Sequence, residues 1–175
     1  MKPEELLQLI ASARAKGEVP DLRNADLSQA DFSGTDLSQV NLRYANLRGA
    51  NLSETNLQGA DLTGAILNEA DLTRARMKNT ELLGASLVKA NLRGVDLLDA
   101  NLRNANLTDA FLTGATLIET TLRGAGLNVA DMRRADLEGA NLIRADMRGA
   151  NVTEEQLNRA KSLKGAIMPN GTIHA

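Results

Sequence analysis

Ala45-Asn46-Leu47-Arg48-Gly49 is followed at once by Ala50-Asn51-Leu52-Ser53-Glu54, and this five-residue unit recurs from Pro20 to Glu154 without an insertion. Every fifth residue from Leu22 to Val152 is large and apolar. Leu fills 22 of these 27 positions, and Phe32, Met77, Met132, Met147 and Val152 fill the others. Two residues earlier the side chain is small, with Ala at 20 of 27 positions. Asp or Asn fills most of the positions between, as at Asp26, Asn46 and Asp71. The unit is numbered from its large apolar residue i: the small residue is i−2, Asp or Asn is i−1, and two variable residues follow at i+1 and i+2.

Neither regular structure accommodates this spacing. On an α-helix five residues advance about 500°, a net ~140°, so the Leu positions scatter around the cylinder. On a strand, residues two apart share a face, so Ala45 and Leu47 can point inward together. Ala50 then lies three residues after Leu47, on the wrong face. The chain must turn once per unit, and short extended pieces joined by corners must wind into a solenoid.

The exceptions at the small position set the number of sides. Pro20, Thr35, Val40, Thr55, Thr80, Val95 and Thr120 fall in two of the four classes of a 20-residue period, whereas Ala25 to Ala145 and Ala30 to Ala150, in steps of 20, are Ala throughout. The i−1 residues agree: Asp21, Asp26, Asp31 and Asp36 form one block, and Asn41, Asn46, Asn51 and Asn56 the next. If residues 20 apart stack at about 4.8 Å, each Asp meets a neutral Asn rather than another carboxylate. Four sides per coil therefore predict about seven coils from 27 units, a rod on the order of 30 Å long.

The A-(D/N)-L-x-x pattern over residues 20–154 resembles the pentapeptide-repeat family, of the cyanobacterial type. The resemblance implies an all-β solenoid, a right-handed quadrilateral parallel β-helix. Ile66, Arg76, Glu81, Ser86, Phe111, Thr116, Thr121 and Gly126 depart from Asp/Asn without breaking the register. Most of the family has no assigned biochemistry, so the resemblance implies a non-catalytic interaction or scaffold module. A subset resembles a DNA duplex in shape and charge and occupies DNA gyrase; such members are strongly acidic and dimerise through a C-terminal end containing aromatic residues. Here the repeat block carries 18 Asp/Glu against 14 Lys/Arg, a net −4. The columns Arg23/Arg43 and Arg103/Arg123 interrupt any continuous negative face, and the tail has no aromatic residue. The mimic is the alternative that this charge balance disfavours.

Both ends leave the pattern, which divides the chain into an N-terminal capping helix and linker (1–19), the repeat block (20–154) and a C-terminal helix and tail cap (155–175). Pro3, Glu4 and Glu5 suit a helix's first turn, and Leu6, Leu7, Leu9, Ile10 and Ala13 give it one apolar face, predicting a helix from about 4 to 15. Lys16-Gly17 stops it. Such a helix would cover the bare core and edge strands of the first coil. After Glu154 the register is expected to end. Thr153-Glu154-Glu155-Gln156 reads as a capping box opening a short helix to about Lys161, with Leu163, Ala166 and Ile167 as apolar anchors and Pro169-Asn170-Gly171 as a turn.

Composition narrows the function. The 175 residues, net charge −2, suit one domain with no basic stripe for a polyanion, so no direct nucleic-acid binding is expected. Cysteine is absent, excluding disulfides and thiolate chemistry. Residues 1–5 lack the apolar run of a signal peptide and no stretch is long enough to span a bilayer, which points to a cytoplasmic protein without membrane contact. His174, the one histidine, is penultimate and reads as a frayed terminal residue rather than a base. No zinc set, no activated Ser or Thr and no cofactor loop can be assembled: Gly recurs at i+2, as in Gly49 and Gly64, but without a Gly-Lys-Ser/Thr element, and serves corners of unusual φ. The stacked carboxylates Asp61/Glu81 and Asp99/Glu119 sit on a convex exterior, where water screens them. No enzyme, metal or cofactor is predicted.

The remaining signal is on the surface. Leu98 and Ile118, both at i+1, stack in adjacent coils, and Leu83, Val88 and Ile143 occupy the same kind of site. Beside Leu98/Ile118 the period places Asp99/Glu119 and Arg103/Arg123. Apolar surface rimmed by charge suits a protein partner. Leu83, Leu98, Asp99, Arg103, Ile118, Glu119 and Arg123 are therefore the candidate partner patch. The rod is expected as a monomer or in end-to-end self-association.

Overall fold

In most units the five backbone N–H groups have five different destinations, and these destinations build the fold. The computed structural model describes residues 3–175. In the first coil Leu22 N–H donates to Asn41 O (2.8 Å) and Asn24 N–H to Arg43 O (3.0 Å), both in the coil above. Asn41 N–H donates down to Pro20 O (2.9 Å), and Ala25 N–H closes the turn on Leu22 O (3.2 Å). The fifth donor, Arg23 N–H, reaches the Asp21 carboxylate at 3.1 Å. Position i−1 is thus Asp or Asn because its side-chain oxygen takes the i+1 donor that no backbone carbonyl reaches. The same bond recurs at Ser28, Ser33 and Ser38 and far up the rod at Arg133 and Arg148.

Parallel bridges join residues 20 apart from Asp21↔Asn41 to Asp131↔Asn151. Each coil therefore holds four units, as the Thr/Val and Asp/Asn patterns predict. Asn beside Asp also has a positive role: Asn46, Asn56 and Asn91 donate Nδ2–H to the carboxylates of Asp26, Asp36 and Asp71 at 2.9–3.1 Å. The turn is of type II, with only its third residue at positive φ. Ten glycines hold that place between Gly34 and Gly149, but so do 16 other residues, from Asn24 to Arg144, at φ between 54° and 62°.

Inside, the i and i−2 side chains form one continuous column, with Leu42 to Leu142 and Ala45 to Ala145 almost wholly excluded from solvent. The larger residues at i−2 carry their own solution. Thr55, Thr80 and Thr120 are fully buried, and each hydroxyl donates to a main-chain carbonyl, of Phe32 (2.7 Å), Leu57 (3.0 Å) and Leu97 (2.9 Å). Among the described residues no buried side-chain polar atom lacks a partner, which removes the usual cost of a polar group in a core.

Helix α1 (Pro3–Ala15) lays Leu6 and Ile10 on the same core, and Arg14 ties it to the Asp36 carboxylate and Ser38 O. At the other end α2 is only Glu154–Leu157, shorter than expected, with the capping box of Thr153 and Gln156 formed in both directions. The register does not end there. It resumes one residue late: Asn141 pairs with Ser162 and Asp146 with Ile167, 21 apart. Leu163 and Met168 pack against the core above Leu142 and Met147. The chain then turns at Pro169-Asn170-Gly171 and runs back antiparallel, Ile167 against Ile173, with His174 bonded to Gly165 and Ala166. His174 is therefore not frayed in its main chain, because this return occupies an edge that would otherwise be open. Among the described residues no helix is long and apolar enough to cross a membrane.

Several of the outward aspartates also hold Arg across two residues. The Arg133 guanidinium, hydrogen-bonded to Asp131, holds its carboxyl down at about 2, helped by the Arg133 N–H and the Thr113 hydroxyl and opposed by burial. A depressed carboxyl contributes stability that is fully present above its unfolded pKa and is lost as pH falls towards the folded one. Asp131→Asn should therefore cost about 1 kcal/mol at pH 7, after allowance for solvent screening. The cost should fade between about pH 4 and pH 2. Thermal melts of both proteins across that window check it; a difference independent of pH would refute it.

Candidate interaction surface

Each unit turns i−1 and i+1 outward on one face and sets i+2 at the corner, so residues 20 apart form columns along the rod. Leu98 and Ile118 are neighbours in one such column: Asp99 N–H donates to Ile118 O at 3.1 Å and Asn79 N–H to Leu98 O at 3.0 Å. Both side chains are half-buried. Asp96 takes the Leu98 N–H at 3.1 Å, but Thr116 offers Ile118 no equivalent, and among the described residues that N–H finds no acceptor. The ridge is thus apolar, with one free outward donor.

Asp99 and Glu119 stand at the corner beside this ridge, both at positive φ (56° and 54°), and the Glu119 carboxylate lies over Gly139. Around the corner, Leu83, Arg103 and Arg123 share the next column: Gly84 N–H donates to Arg103 O (2.9 Å) and Asn104 N–H to Arg123 O (3.0 Å). Leu83 is 39% exposed. The seven sequence-derived residues thus lie on two adjacent faces meeting at an acidic corner. The charged four do not neutralise one another: among the described residues none of Asp99, Arg103, Glu119 and Arg123 forms an ion pair within 4.0 Å.

The other carboxylate pair, Asp61 and Glu81, is adjacent as the period requires but otherwise engaged. Arg43 approaches Asp61 at 3.6 Å and Asn101 donates to Glu81 at 2.7 Å. Among the described residues no group of three or more His, Cys, Asp or Glu could hold a metal ion. Phe111, at i−1, lies against the Arg93 guanidinium 4.5 Å from its ring centre, so its exposure of 38% is partly answered within the chain.

The Arg103/Arg123 column extends further than sequence counting allows. Gly124 N–H donates to Ile143 O (2.9 Å) and Arg144 N–H to Lys164 O (3.0 Å). Adding 20 to Ile143 lands on Leu163, a core position; the one-residue delay after α2 brings Lys164 there instead. Arg123, Ile143, Arg144, Lys164, Gly165 and His174 line an open hollow of about 450 Å³. A second hollow of about 530 Å³, between Val152, Leu157, Met168, Pro169 and Ile173, lies at the end of the rod.

The family model described as Pentapeptide repeats (8 copies) matches residues 21–59, 55–94, 96–128 and 122–154. The chain belongs to the pentapeptide-repeat family, whose fold is the right-handed quadrilateral β-helix. It is similar to HetL, a pentapeptide repeat protein involved in heterocyst differentiation regulation from the cyanobacterium Nostoc sp. strain PCC 7120, at 30% identity over 99% of this chain and 100% of that one, with a TM-score of 0.28. It is similar also to Rfr23 from the cyanobacterium Cyanothece 51142, at 24% identity over 78% and 94% of the two chains (TM-score 0.47). QnrB1, a plasmid-mediated fluoroquinolone resistance protein, shares 17% identity over 83% and 90% (TM-score 0.50). No curated protein matches the chain.

Proposed function

We propose that this chain is a non-catalytic, cytoplasmic interaction rod of about seven coils, closed by its two terminal segments, that recognises a protein partner through the Leu98–Ile118 ridge and its charged borders. The observation that carries this reading is the coincidence of two adjoining apolar residues with four charged side chains that form no ion pair among the described residues. Charged groups left unpaired beside an apolar strip favour specific association over self-stabilisation. Family membership supports a binding rather than a chemical role.

A pull-down from the native host tests it, run with the wild-type chain and with Leu98→Asp/Ile118→Asp. Both side chains point outward, so the variant should melt within a few degrees of wild type while partner recovery falls about tenfold or more. Recovery of the same partners at the same level would overturn the ridge. The gyrase reading gains nothing from the likeness to QnrB1, which bears on fold alone. It also requires a negative exterior that the unpaired Arg103, Arg123, Arg144 and Lys164 interrupt. A supercoiling assay showing inhibition at micromolar protein would reinstate it.

A further inference from the structure

We propose that the face carrying Leu83, Arg103, Arg123, Ile143, Arg144 and Lys164 binds an extended polypeptide segment of the pattern apolar-x-acidic-x-apolar. This rests on the reading of the rod as a protein-interaction module and names the partner's chemistry on the face beside the ridge.

The charge distribution along that face is uneven for a reason visible residue by residue. In the N-terminal half of the column, Arg23 pairs with Asp21 and Arg43 with Asp61. The i−1 column that supplies those acids runs Asp21, Asn41, Asp61, Glu81 and then becomes neutral: Asn101, Thr121, Asn141 and, after the delay, Ser162. From Arg103 onward the cations have no carboxylate in the i−1 column beside them. Among the described residues Arg103, Arg123, Arg144 and Lys164 make no ion pair, and four like charges on successive coils repel one another until an anion arrives.

Hydrogen-bond donors point the same way. In most units the i+1 N–H bonds the outward Asp or Asn side chain, so it faces the exterior. At Leu83 and Arg123 the i−1 residues are Glu81 and Thr121, and neither N–H finds an acceptor among the described residues. A carboxylate or a peptide carbonyl of a partner can take both.

The apolar residues select a polypeptide over a nucleic acid. The i+1 column reads Leu83, Arg103, Arg123, Ile143, with two cations between two apolar side chains. Leu83 and Ile143 are three coils apart, about 14 Å at the usual strand spacing. In an extended chain, residues i and i+4 on one face are also about 14 Å apart, and residue i+2 falls midway. Two apolar side chains of such a segment then sit at Leu83 and Ile143 while the acidic one between them lies between Arg103 and Arg123. Its chain beyond the second anchor passes Arg144 and Lys164 and the 450 Å³ hollow. A phosphate backbone would find no use for Leu83 and Ile143, and would be repelled by Asp99 and Glu119 along the adjoining corner.

The test is fluorescence anisotropy of a short labelled peptide with Ile-Thr-Glu-Thr-Ile at its centre, titrated with the full chain. Saturable binding is expected, weakened about fivefold or more by Arg103→Gln/Arg123→Gln, by Gln for Glu in the peptide, and by raising salt from about 50 to 300 mM. Arg144→Gln/Lys164→Gln supplies a second variant at other positions and should weaken binding in the same direction. Equal binding of the Glu and Gln peptides, indifference to both Arg variants, or tighter binding of a single-stranded oligonucleotide would overturn the proposal. Failure of the ridge reading appears as unaltered partner recovery in the pull-down, and failure of this one as absence of charge-dependent peptide binding.

Discussion

Replacing Leu102 by Ala is expected to destabilise the rod by about 3 kcal/mol, near the middle of the range for a buried leucine. Leu102 is fully buried, stacked between Leu82 and Leu122. Its N–H donates to Thr121 O in the coil above at 2.8 Å, and the adjoining Asn101 N–H donates to Thr80 O in the coil below at 3.0 Å. The wall around it is therefore pinned to the coils above and below and cannot collapse into the space left, so the cavity term is retained in full. Each coil touches only its two neighbours, and loss at one level loosens the interface on both sides. Val152→Ala, at a half-buried level just before α2, should cost well under half as much. Urea denaturation with a shared slope measures both; a Leu102→Ala penalty below about 1 kcal/mol would mean that the wall can close in.

The second large effect concerns the turn. Val129 sits at φ 59°, a β-branched residue in the left-handed region, with 59% of its surface exposed. That conformation costs an L-residue about 1–2 kcal/mol, and a branched Cβ adds to it. Glycine removes the strain but gives up about 0.5–1 kcal/mol of chain entropy on folding. Val129→Gly should therefore stabilise by about 1 kcal/mol. Gly64→Ala runs the other way. Gly64 has φ 66°, and an added Cβ would stand 2.5 Å from two carbons of the Tyr44 ring, which lies across it from the preceding coil. A loss of about 2 kcal/mol is expected, with part regained when Tyr44→Ala is added. Additive effects of the two changes would show that ring and glycine do not meet.

Some of this was legible in the chain itself. The four-sided coil could be read because Thr and Val at i−2 sort by 20 and because Asp and Asn alternate in blocks. Both patterns are the sequence image of contacts between successive coils. The patch residues could be placed by counting, since the period holds through Glu119 and Arg123. The left-handed turn was only half visible. Gly at i+2 advertises it, but Glu54, Arg74 and Val129 adopt the same φ without any compositional mark, because the hydrogen bonds of the neighbouring coils impose it. Lys164 was hidden by a single extra residue around α2, which shifts every later position off the count. Nor does position near the end of the chain show that the His174 main chain is held by Gly165 and Ala166.

Period and chemistry of the five-residue unit, taken alone, determined that this protein coils, how many sides each coil has, and which side chains fill it. Local parity and the need to bury every Leu leave no other arrangement. What only the tertiary structure decided is which charges are left over. Arg43 and Arg103 each follow Asn-Leu in their units, yet Arg43 meets the Asp61 carboxylate of the next coil and, among the described residues, Arg103 meets none. Pairing depends on atoms brought within a few ångströms, and a periodic pattern assigns residues to a face without saying which of them touch.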